Sequence, residues 1–209
     1  MFNLVVFEVA HMIQYVIIIL GATLFGGLHS GISALRVKNR IIDKYGKNGY
    51  SRIFTITSVV SFMVAFLSMW FWDWLYFLGN FTLETILLLG VGIMMIAAGG
   101  YLAMLASRVI SVSTVADMRT DRLPELITGG LYARIRHPLY LATILVFGGL
   151  GVMYPFPRVI VFSLAMILYT IIGAVLEERK LIAHYGQEYI DYKKEAGFIL
   201  PRFGQPKAT

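Results

Sequence analysis

Long apolar runs without lysine or arginine constrain this chain more than any other feature of its sequence. Five such runs can be read, over residues 12–35, 53–72, 83–105, 139–154 and 159–176. A helix needs about 20 consecutive apolar residues to cross a bilayer. Only 14% of the residues are charged and 58% are hydrophobic, which excludes an ordinary water-soluble domain. The pattern predicts an all-α integral membrane protein with five transmembrane helices.

The last two runs lie close together in the sequence, with only residues 155–158 between them. This spacing predicts a tight antiparallel hairpin, which brings the residues before the fourth run next to those after the fifth. The polar residues 177–209 are expected to form a helical cap on the cytoplasmic side. No domain boundary is visible, so residues 1–209 are interpreted as a single membrane domain.

Lysines and arginines are distributed unevenly among the connections between the runs. Of the 18, only Arg158 lies outside the segments 36–52 and 106–138 and the tail from 177 onward. Cytoplasmic connections collect positive charge in membrane proteins. We therefore expect the N-terminus outside and the C-terminus in the cytoplasm. The net charge of +6 is then explained by topology, and no nucleic-acid partner is expected.

The residue types limit the chemistry and suggest how the helices pack. The chain has no cysteine, which excludes disulfides, thiolate metal sites and cysteine nucleophiles. Its four histidines show no ligand spacing, so no metal site is expected. Small residues allow membrane helices to approach closely, and this role is predicted for Gly27, Gly31, Gly99 and Gly100.

Two polar segments flank the predicted hairpin and should meet at one face. The first contains Arg136 and His137, and the second contains Glu177 and Glu178. Taken alone, the first fits a basic flank followed by a helix-starting proline, and the second fits a solvated helix end with local ion pairs. Two glutamates at a helix C-terminus oppose its dipole, however, so we expect a cationic partner for them. Arg136 and His137 are expected to supply part of this positive charge, and the ammonium group of a ligand the rest.

One kind of small molecule suits this set of side chains. It has a carboxylate for arginine or histidine, an ammonium group for glutamate, and a planar base and a positive centre for the aromatic rings of Tyr132, Tyr140 and Tyr185. S-adenosylmethionine has all of these features. Intramembrane clusters of this type also bind ions or lipid headgroups, so these residues alone leave those alternatives open.

The same residues occur in longer motifs with a fixed order. These are Gly130-Leu131-Tyr132, Arg136-His137-Pro138-Leu139-Tyr140, Glu177-Glu178, the segment 185–192 and Leu200-Pro201-Arg202-Phe203. In them the chain resembles the integral-membrane methyltransferases typified by protein-S-isoprenylcysteine O-methyltransferase. Relatives of that family methylate phospholipids or small thiols. The resemblance covers about the last eighty residues well and the first hundred poorly.

The resemblance implies an S-adenosylmethionine-dependent methyltransferase in a multi-helix membrane fold. It implies that the Arg-His-Pro segment and the glutamate pair bind the cofactor and that tyrosines form the wall of the pocket. These cofactor-binding residues are Tyr132, Arg136, His137, Pro138, Tyr140, Glu177, Glu178 and Tyr185. Arg136 and His137 would face its carboxylate, and Glu177 its amino group. Sterol reductases share the tail pattern loosely, so an NADPH-dependent membrane reductase is the alternative, beside a membrane protein without catalytic activity.

The N-terminal half resembles a narrower branch, the thiol-methylating and NnrU-like membrane proteins. The matching motifs are Gly27-Leu28-His29-Ser30, Val37-Lys38 and Tyr50-Ser51-Arg52. A thiol acceptor, with a pKa of about 8.5, benefits from a base, and His29 is the candidate. Arg36, Arg52 or Arg134 are candidates for orienting an anionic acceptor. A small or lipophilic acceptor is expected to enter from the bilayer. A single histidine between helices is also common as a packing residue, and that interpretation stays open.

Overall fold

The protein is described by a computed structural model that covers residues 2–109 and 125–202. Within these ranges the regular structure is helical and no strand occurs, which confirms the all-α prediction. A 3₁₀ turn is also present over Gly130–Ala133. The helices are α1 (Phe2–Ser33), α2 (Leu35–Leu67), α3 (Tyr76–Gly79), α4 (Leu83–Val109), α5 (Pro138–Met153), α6 (Pro157–Tyr185) and α7 (Gln187–Glu195).

Four of the described helices are long and apolar enough to cross a membrane. They are α2, α6, the part of α1 from Met12 and the part of α4 up to Arg108. Helix α5 is apolar but has 16 residues. At 1.5 Å per residue it is about 24 Å long, shorter than the hydrocarbon core of about 30 Å. A membrane protein is therefore supported, and the fifth span stays a prediction.

The described residues divide between two compact units. The first comprises Met1–Gly90 and Leu150–Met166, and the second comprises Val91–Gly149 and Ile167–Thr209. The first unit contains the packing of α1 against α2. The second contains both polar segments of the predicted site. The interpretation of residues 1–209 as one domain stays a prediction.

In the first unit, α1 packs against α2 through small residues. Ala22 and Ala65 are buried, and a Cβ on Gly21 would lie 3.2 Å from the backbone of Ala65. Gly27 and Gly31 have no described atom within 4 Å of such a Cβ. The prediction of close approach was wrong at these two positions, because Gly27 lies six residues after Gly21 and so on a different face of α1.

The basic segment 36–52 is part of a helix rather than a loop. Helix α2 begins at Leu35, directly after Ala34, whose backbone is extended. It is interrupted at Gly46, which has a φ of 72°. The helix then ends at Leu67, five residues before the end of the second apolar run. Charged residues made this segment look like a connection, although arginine and lysine are good helix formers.

In the second unit, α4 and α5 approach closely at two glycines. A Cβ on Gly99 would lie 2.7 Å from the backbone oxygen of Ala142, and one on Gly149 would lie 2.7 Å from that of Gly92. Real Cβ atoms do not tolerate such distances, so the packing requires glycine. The prediction for Gly99 is confirmed. The prediction for Gly100 was wrong, since no described atom lies within 4 Å of a Cβ there.

The chain reverses direction after α6. Helix α6 continues to Tyr185, nine residues beyond the fifth apolar run, so the polar cap predicted from 177 begins inside this helix. Gly186, with a φ of 59°, separates α6 from α7. Residues 196–202 then run back toward residues 134–137. The end of the predicted cap, 203–209, lies outside the described residues.

The packing of α4 on α5 predicts different effects at two adjacent glycines. In Gly99→Ala the new methyl group meets a backbone oxygen, which cannot move without shifting α5. We expect the free energy of unfolding to fall by about 1–3 kcal/mol. In Gly100→Ala no steric conflict arises, and the higher helix propensity of alanine leaves stability unchanged or raises it by up to about 1 kcal/mol. Thermal unfolding in detergent measures both, and equal effects would contradict the close packing.

Candidate active site

The polar segment before α5 meets the polar segment of α6, as the hairpin predicted. The Nδ1 atom of His137 lies 3.9 Å from Oε2 of Glu177, and its Nε2 atom lies 3.6 Å from Oε1 of Glu178. The Nε–H of Arg136 donates a hydrogen bond of 2.7 Å to Oε1 of Glu178. Residues some forty positions apart in the sequence therefore form one cluster.

Local structure explains why α5 starts where it does. Pro138 is fully buried at the first position of the helix, where its missing N–H leaves no hydrogen bond unmade. Two residues later, the ring of Tyr140 lies against Gly173 of α6, where a Cβ would be 3.3 Å from it. The same ring contacts that of His137, with centroids 5.3 Å apart. Gly173 thus makes room for Tyr140 beside the histidine.

The C-terminal segment holds the residues before α5 in an extended conformation. The backbone N–H of Arg136 donates to the oxygen of Gly197 at 2.8 Å, and that of His137 donates to the oxygen of Phe198 at 3.1 Å. In return, the N–H of Gly197 donates to the oxygen of Arg134 at 3.0 Å. This short parallel pairing fixes the direction in which the side chains of residues 136 and 137 point.

Both carboxylate oxygens of Glu178 accept hydrogen bonds from other residues of the protein. Its two carboxylate oxygens accept hydrogen bonds of 2.7 Å from Arg136 and from Nζ of Lys193, and the hydroxyl of Tyr189 donates to it at 3.4 Å. Arg136 also donates to the backbone oxygens of Lys193 and Ala196. The side chains of Arg136 and Glu178 are only 8% and 12% exposed. This pair joins the start of α5, α6 and α7.

Glu177 and His137 have free bonding capacity by comparison. The side chain of Glu177 is 44% exposed. The imidazole of His137 is buried, and its Nε2 atom has no hydrogen-bond partner among the described residues. Its distance of 3.6 Å from Glu178 is too long for a hydrogen bond. A buried imidazole with one unpartnered nitrogen, whose other nitrogen faces a half-exposed carboxylate, is an arrangement that suits a zwitterionic ligand.

Burial determines the protonation of the histidine and the nearby tyrosine. It lowers the pKa of His137, although the charges of Glu177 and Glu178 oppose this effect. The imidazole is therefore neutral at neutral pH and offers one N–H donor. Burial, with a contribution from the charge of Glu177, raises the pKa of Tyr132 to about 12. Tyr132 thus keeps its phenolic proton.

An aromatic cluster supports this face of the site. Tyr189, Tyr192 and Ala196 are buried together, and Tyr185 packs against them. The hydroxyl of Tyr192 donates a hydrogen bond of 2.6 Å to the backbone oxygen of Tyr132. Helix α7 is thereby attached to the 3₁₀ turn before α5. Tyr185 contacts this cluster, and its predicted role in the pocket wall stays a prediction.

The structure corrects one premise of the sequence argument. Glu177 and Glu178 were expected at the end of a helix, but α6 continues to Tyr185, two turns further. The helix dipole therefore does not explain why they need a cation, because its effect is confined to the last turn. The expected cationic partner is nevertheless present, since Arg136 bonds to Glu178.

The candidate base lies in the first unit. Nδ1 of His29 is 2.9 Å from the hydroxyl oxygen of Ser58, and its ring is flanked by those of Phe25 and Phe54, with centroids 5.4 and 4.8 Å away. Arg36 and Arg52, in the same unit, are exposed. In the second unit, Arg134 is also exposed, and its backbone oxygen receives the N–H of Gly197.

Sequence reasoning did not identify several residues of these sites. Ser58 is one, and Lys193, Tyr189 and Tyr192 are the others. Tyr192 and Lys193 follow Tyr189 by three and four residues, which places these three side chains along one side of α7. This spacing is a detectable signal for a packed face of a helix. Their partners lie 11 to 60 residues away, and no local pattern indicates those pairings.

Comparison with known proteins finds a partial match to one family. A family model described as phospholipid methyltransferase matches residues 87–188, a range that includes the cluster of residues 132–140 and the glutamate pair. Over this range the chain is similar to that methyltransferase family. No solved structure matches it.

The curated proteins to which the chain is similar share one name. Methanethiol S-methyltransferase of Pseudomonas deceptionensis is 29% identical over 127 residues, which are 59% of this chain and 47% of the relative. Methanethiol S-methyltransferase 1 of Bradyrhizobium diazoefficiens is 36% identical over 78 residues, 37% of this chain and 27% of the relative. A methanethiol S-methyltransferase of Pseudomonas sp. strain GM41(2012) is 31% identical over 99 residues, 46% and 37% respectively. The matches cover less than half the length of these relatives.

The buried position of Glu178 predicts a large effect on stability. In Glu178→Gln the charges of Arg136 and Lys193 lose their partner, and the guanidinium group remains buried. We expect the free energy of unfolding to fall by about 3–5 kcal/mol. Asp191→Asn is the matched control, because Asp191 pairs with Lys194 on the surface, with both side chains more than half exposed. Such a pair contributes about 0–1 kcal/mol.

Thermal unfolding of the two variants in the same detergent makes the comparison. A Glu178→Gln protein as stable as Asp191→Asn would contradict the structural role of the buried pair.

Proposed function

We propose that this chain is a membrane-embedded methyltransferase that uses S-adenosylmethionine and methylates a small thiol or a lipophilic acceptor. The observation that carries the proposal is the cluster of His137 and Glu177. The Nε2 atom of the buried imidazole has no hydrogen-bond partner among the described residues, and its Nδ1 atom lies 3.9 Å from the half-exposed carboxylate of Glu177. The family match over residues 87–188 and the names of the relatives support it. A small thiol is the preferred acceptor, since the relatives are named for methanethiol.

The two acidic residues have different roles in this proposal. Glu177 binds the ammonium group of the donor, because its carboxylate is accessible and is not paired with a lysine or arginine among the described residues. His137 donates an N–H to the donor's carboxylate, and Tyr132, Tyr140 and Tyr185 line the site. Glu178 and Arg136 neutralise each other. They are positioning residues, which hold the backbone of residues 134–137 in place around the ligand.

The residues of the site act chiefly by orientation. The bound donor supplies a methyl group already activated on a positively charged sulfur atom. The chain has to hold both reactants in the attacking geometry and exclude water, and such positioning contributes about 7–11 kcal/mol. The buried cluster of Tyr189, Tyr192 and Ala196 supports this face of the site through the hydrogen bond from Tyr192 to the backbone of Tyr132.

His29 is proposed as the group that orients the thiol or accepts its proton. Its hydrogen bond with Ser58 fixes the ring, and Phe25 and Phe54 give it an apolar environment suited to a small alkyl group. Arg36 and Arg134 are proposed to orient an anionic acceptor, because both side chains are exposed and charged. A thiolate is a far better nucleophile than a thiol, so a nearby base raises the rate.

The proposal includes a membrane topology. Helix α5 serves as the fifth span and pairs with α6 in the hairpin, with the N-terminus outside. The basic segment at the start of α2 and the residues from 177 onward then lie in the cytoplasm, where positive charge is favoured. The donor reaches the site from the cytoplasm, and a lipophilic acceptor enters from the bilayer.

Methyl transfer tests the proposed function directly. Purified full-length protein is supplied with methyl-labelled S-adenosylmethionine and, separately, a small alkyl thiol, a prenylcysteine and phosphatidylethanolamine. We expect transfer to the thiol. In Glu177→Gln the KM for the donor should rise about 10- to 100-fold, since a hydrogen bond to a charged group is lost. Glu188→Gln, an exposed glutamate on α7, is the matched control and should leave KM unchanged.

Two results would argue against the proposal. The first is no transfer to any of the three acceptors by folded protein, and the second is an equal rise in KM for both glutamate variants.

A further inference from the structure

Helix α2 is divided by a break at Gly46. The backbone there has φ 72° and ψ 174°, a conformation that glycine adopts and side-chain-bearing residues avoid. Helical structure continues on both sides of the break. We call residues 35–45, between Ala34 and Gly46, the basic helix.

The break turns the basic helix toward the remainder of α2. Nζ of Lys38 lies 5.7 Å from the ring centroid of Tyr50, and both residues are buried. Lys38 and Tyr50 are twelve residues apart, and twelve residues of a straight helix span about 18 Å. Two side chains on one straight helix would not reach each other over that distance. The basic helix is therefore a separate element that packs one face inward through Lys38 and Ile42.

A second face of the basic helix is positively charged. Arg36, Arg40 and Lys44 recur at intervals of four residues and are all exposed, so they line one side of the helix. Asp43 is the only acidic residue between positions 35 and 52. The face therefore has a strong positive potential that a single carboxylate does not neutralise.

Apolar side chains are exposed beside the charged face. Leu35, Val37 and Tyr45 are 57%, 38% and 56% exposed. Nζ of Lys44 also lies 5.2 Å from the ring centroid of Tyr45. Cations next to exposed apolar and aromatic groups are typical of helices that lie in the membrane interface. Binding of a water-soluble anion would not require these apolar groups.

The position of the basic helix in the chain fits this location. It follows the candidate span of α1 after one residue, Ala34, and it precedes the apolar stretch of α2 from residue 53. Its two ends are thus tied to segments that enter the bilayer. An element held in this way lies at the membrane surface.

We propose that the basic helix binds the headgroups of anionic phospholipids. Arg40 and Lys44 contact the lipid phosphates, and Leu35, Val37 and Tyr45 enter the acyl boundary. The charge complementarity and the adjoining apolar residues favour a lipid over a soluble phosphate compound or an acidic protein. This binding is independent of the proposed methyl transfer.

Lipid selectivity of the reconstituted full-length protein tests the proposal. Electron paramagnetic resonance measures the association of spin-labelled phosphatidylglycerol relative to spin-labelled phosphatidylcholine. Each cation near a membrane surface contributes roughly fivefold to the association of an anionic lipid. In Arg40→Gln/Lys44→Gln we therefore expect the association constant for phosphatidylglycerol to fall up to about 30-fold, with that for phosphatidylcholine unchanged.

Two comparison variants separate this site from net charge and misfolding. Arg108→Gln/Lys180→Gln removes two exposed cations from other helices and should retain the wild-type selectivity. Arg40→Lys/Lys44→Arg preserves the charge and should retain it as well. In the wild-type protein itself, raising the salt concentration should weaken phosphatidylglycerol association.

Three outcomes would overturn the proposal. One is wild-type protein with equal affinity for the two lipids. Another is equal loss in Arg40→Gln/Lys44→Gln and Arg108→Gln/Lys180→Gln. The third is displacement of the labelled lipid by millimolar glycerol 3-phosphate, which would indicate a site for soluble phosphate compounds.

Discussion

A buried ion pair between Arg136 and Glu178 is the interaction on which the candidate site depends. Removing charges from water is unfavourable, so the pair is stable only because Lys193 and backbone oxygens complete its hydrogen bonds. These partners come from the segment before α5, from α6 and from α7. One electrostatic cluster therefore holds together three stretches of chain that are distant in sequence. The orientation of His137 follows from it, because the histidine is the next residue along a backbone that the C-terminal segment also fixes.

This arrangement separates structural charge from charge available to a ligand. Glu178 and Glu177 are adjacent in sequence, but in the part of the chain that the structure describes only Glu178 pairs with an arginine and a lysine. Glu177 remains half exposed next to a neutral, buried imidazole. A ligand with both an ammonium and a carboxylate group can use that pair without disturbing the fold. The same division explains the effects expected of two substitutions. Glu178→Gln should lower stability, and Glu177→Gln should weaken the binding of the donor.

The sequence predicted the elements set by local patterns and missed those set by distant contacts. Apolar runs located the membrane helices, because hydrophobicity along one helix is a local property. Ending each span at its first charged residue truncated α6 before Glu177 and hid the helical basic segment after Leu35. The meeting of residues 136 and 137 with the glutamates followed from the short link between α5 and α6. The roles of Lys193, Tyr192 and Ser58 could not be predicted in this way. Their hydrogen-bond partners are set by the path of the chain after Gly186 or by the packing of α1 on α2.

Equilibrium binding of the demethylated product tests the central claim most directly, because it requires no acceptor. In calorimetric titration of the purified, folded full-length protein, S-adenosylhomocysteine should bind saturably at one site. Asp191→Asn should bind it equally well, and Glu177→Gln should bind it at least tenfold more weakly. NADPH should give no saturable heat. Saturable binding of NADPH with none of S-adenosylhomocysteine would contradict the account and favour a membrane reductase.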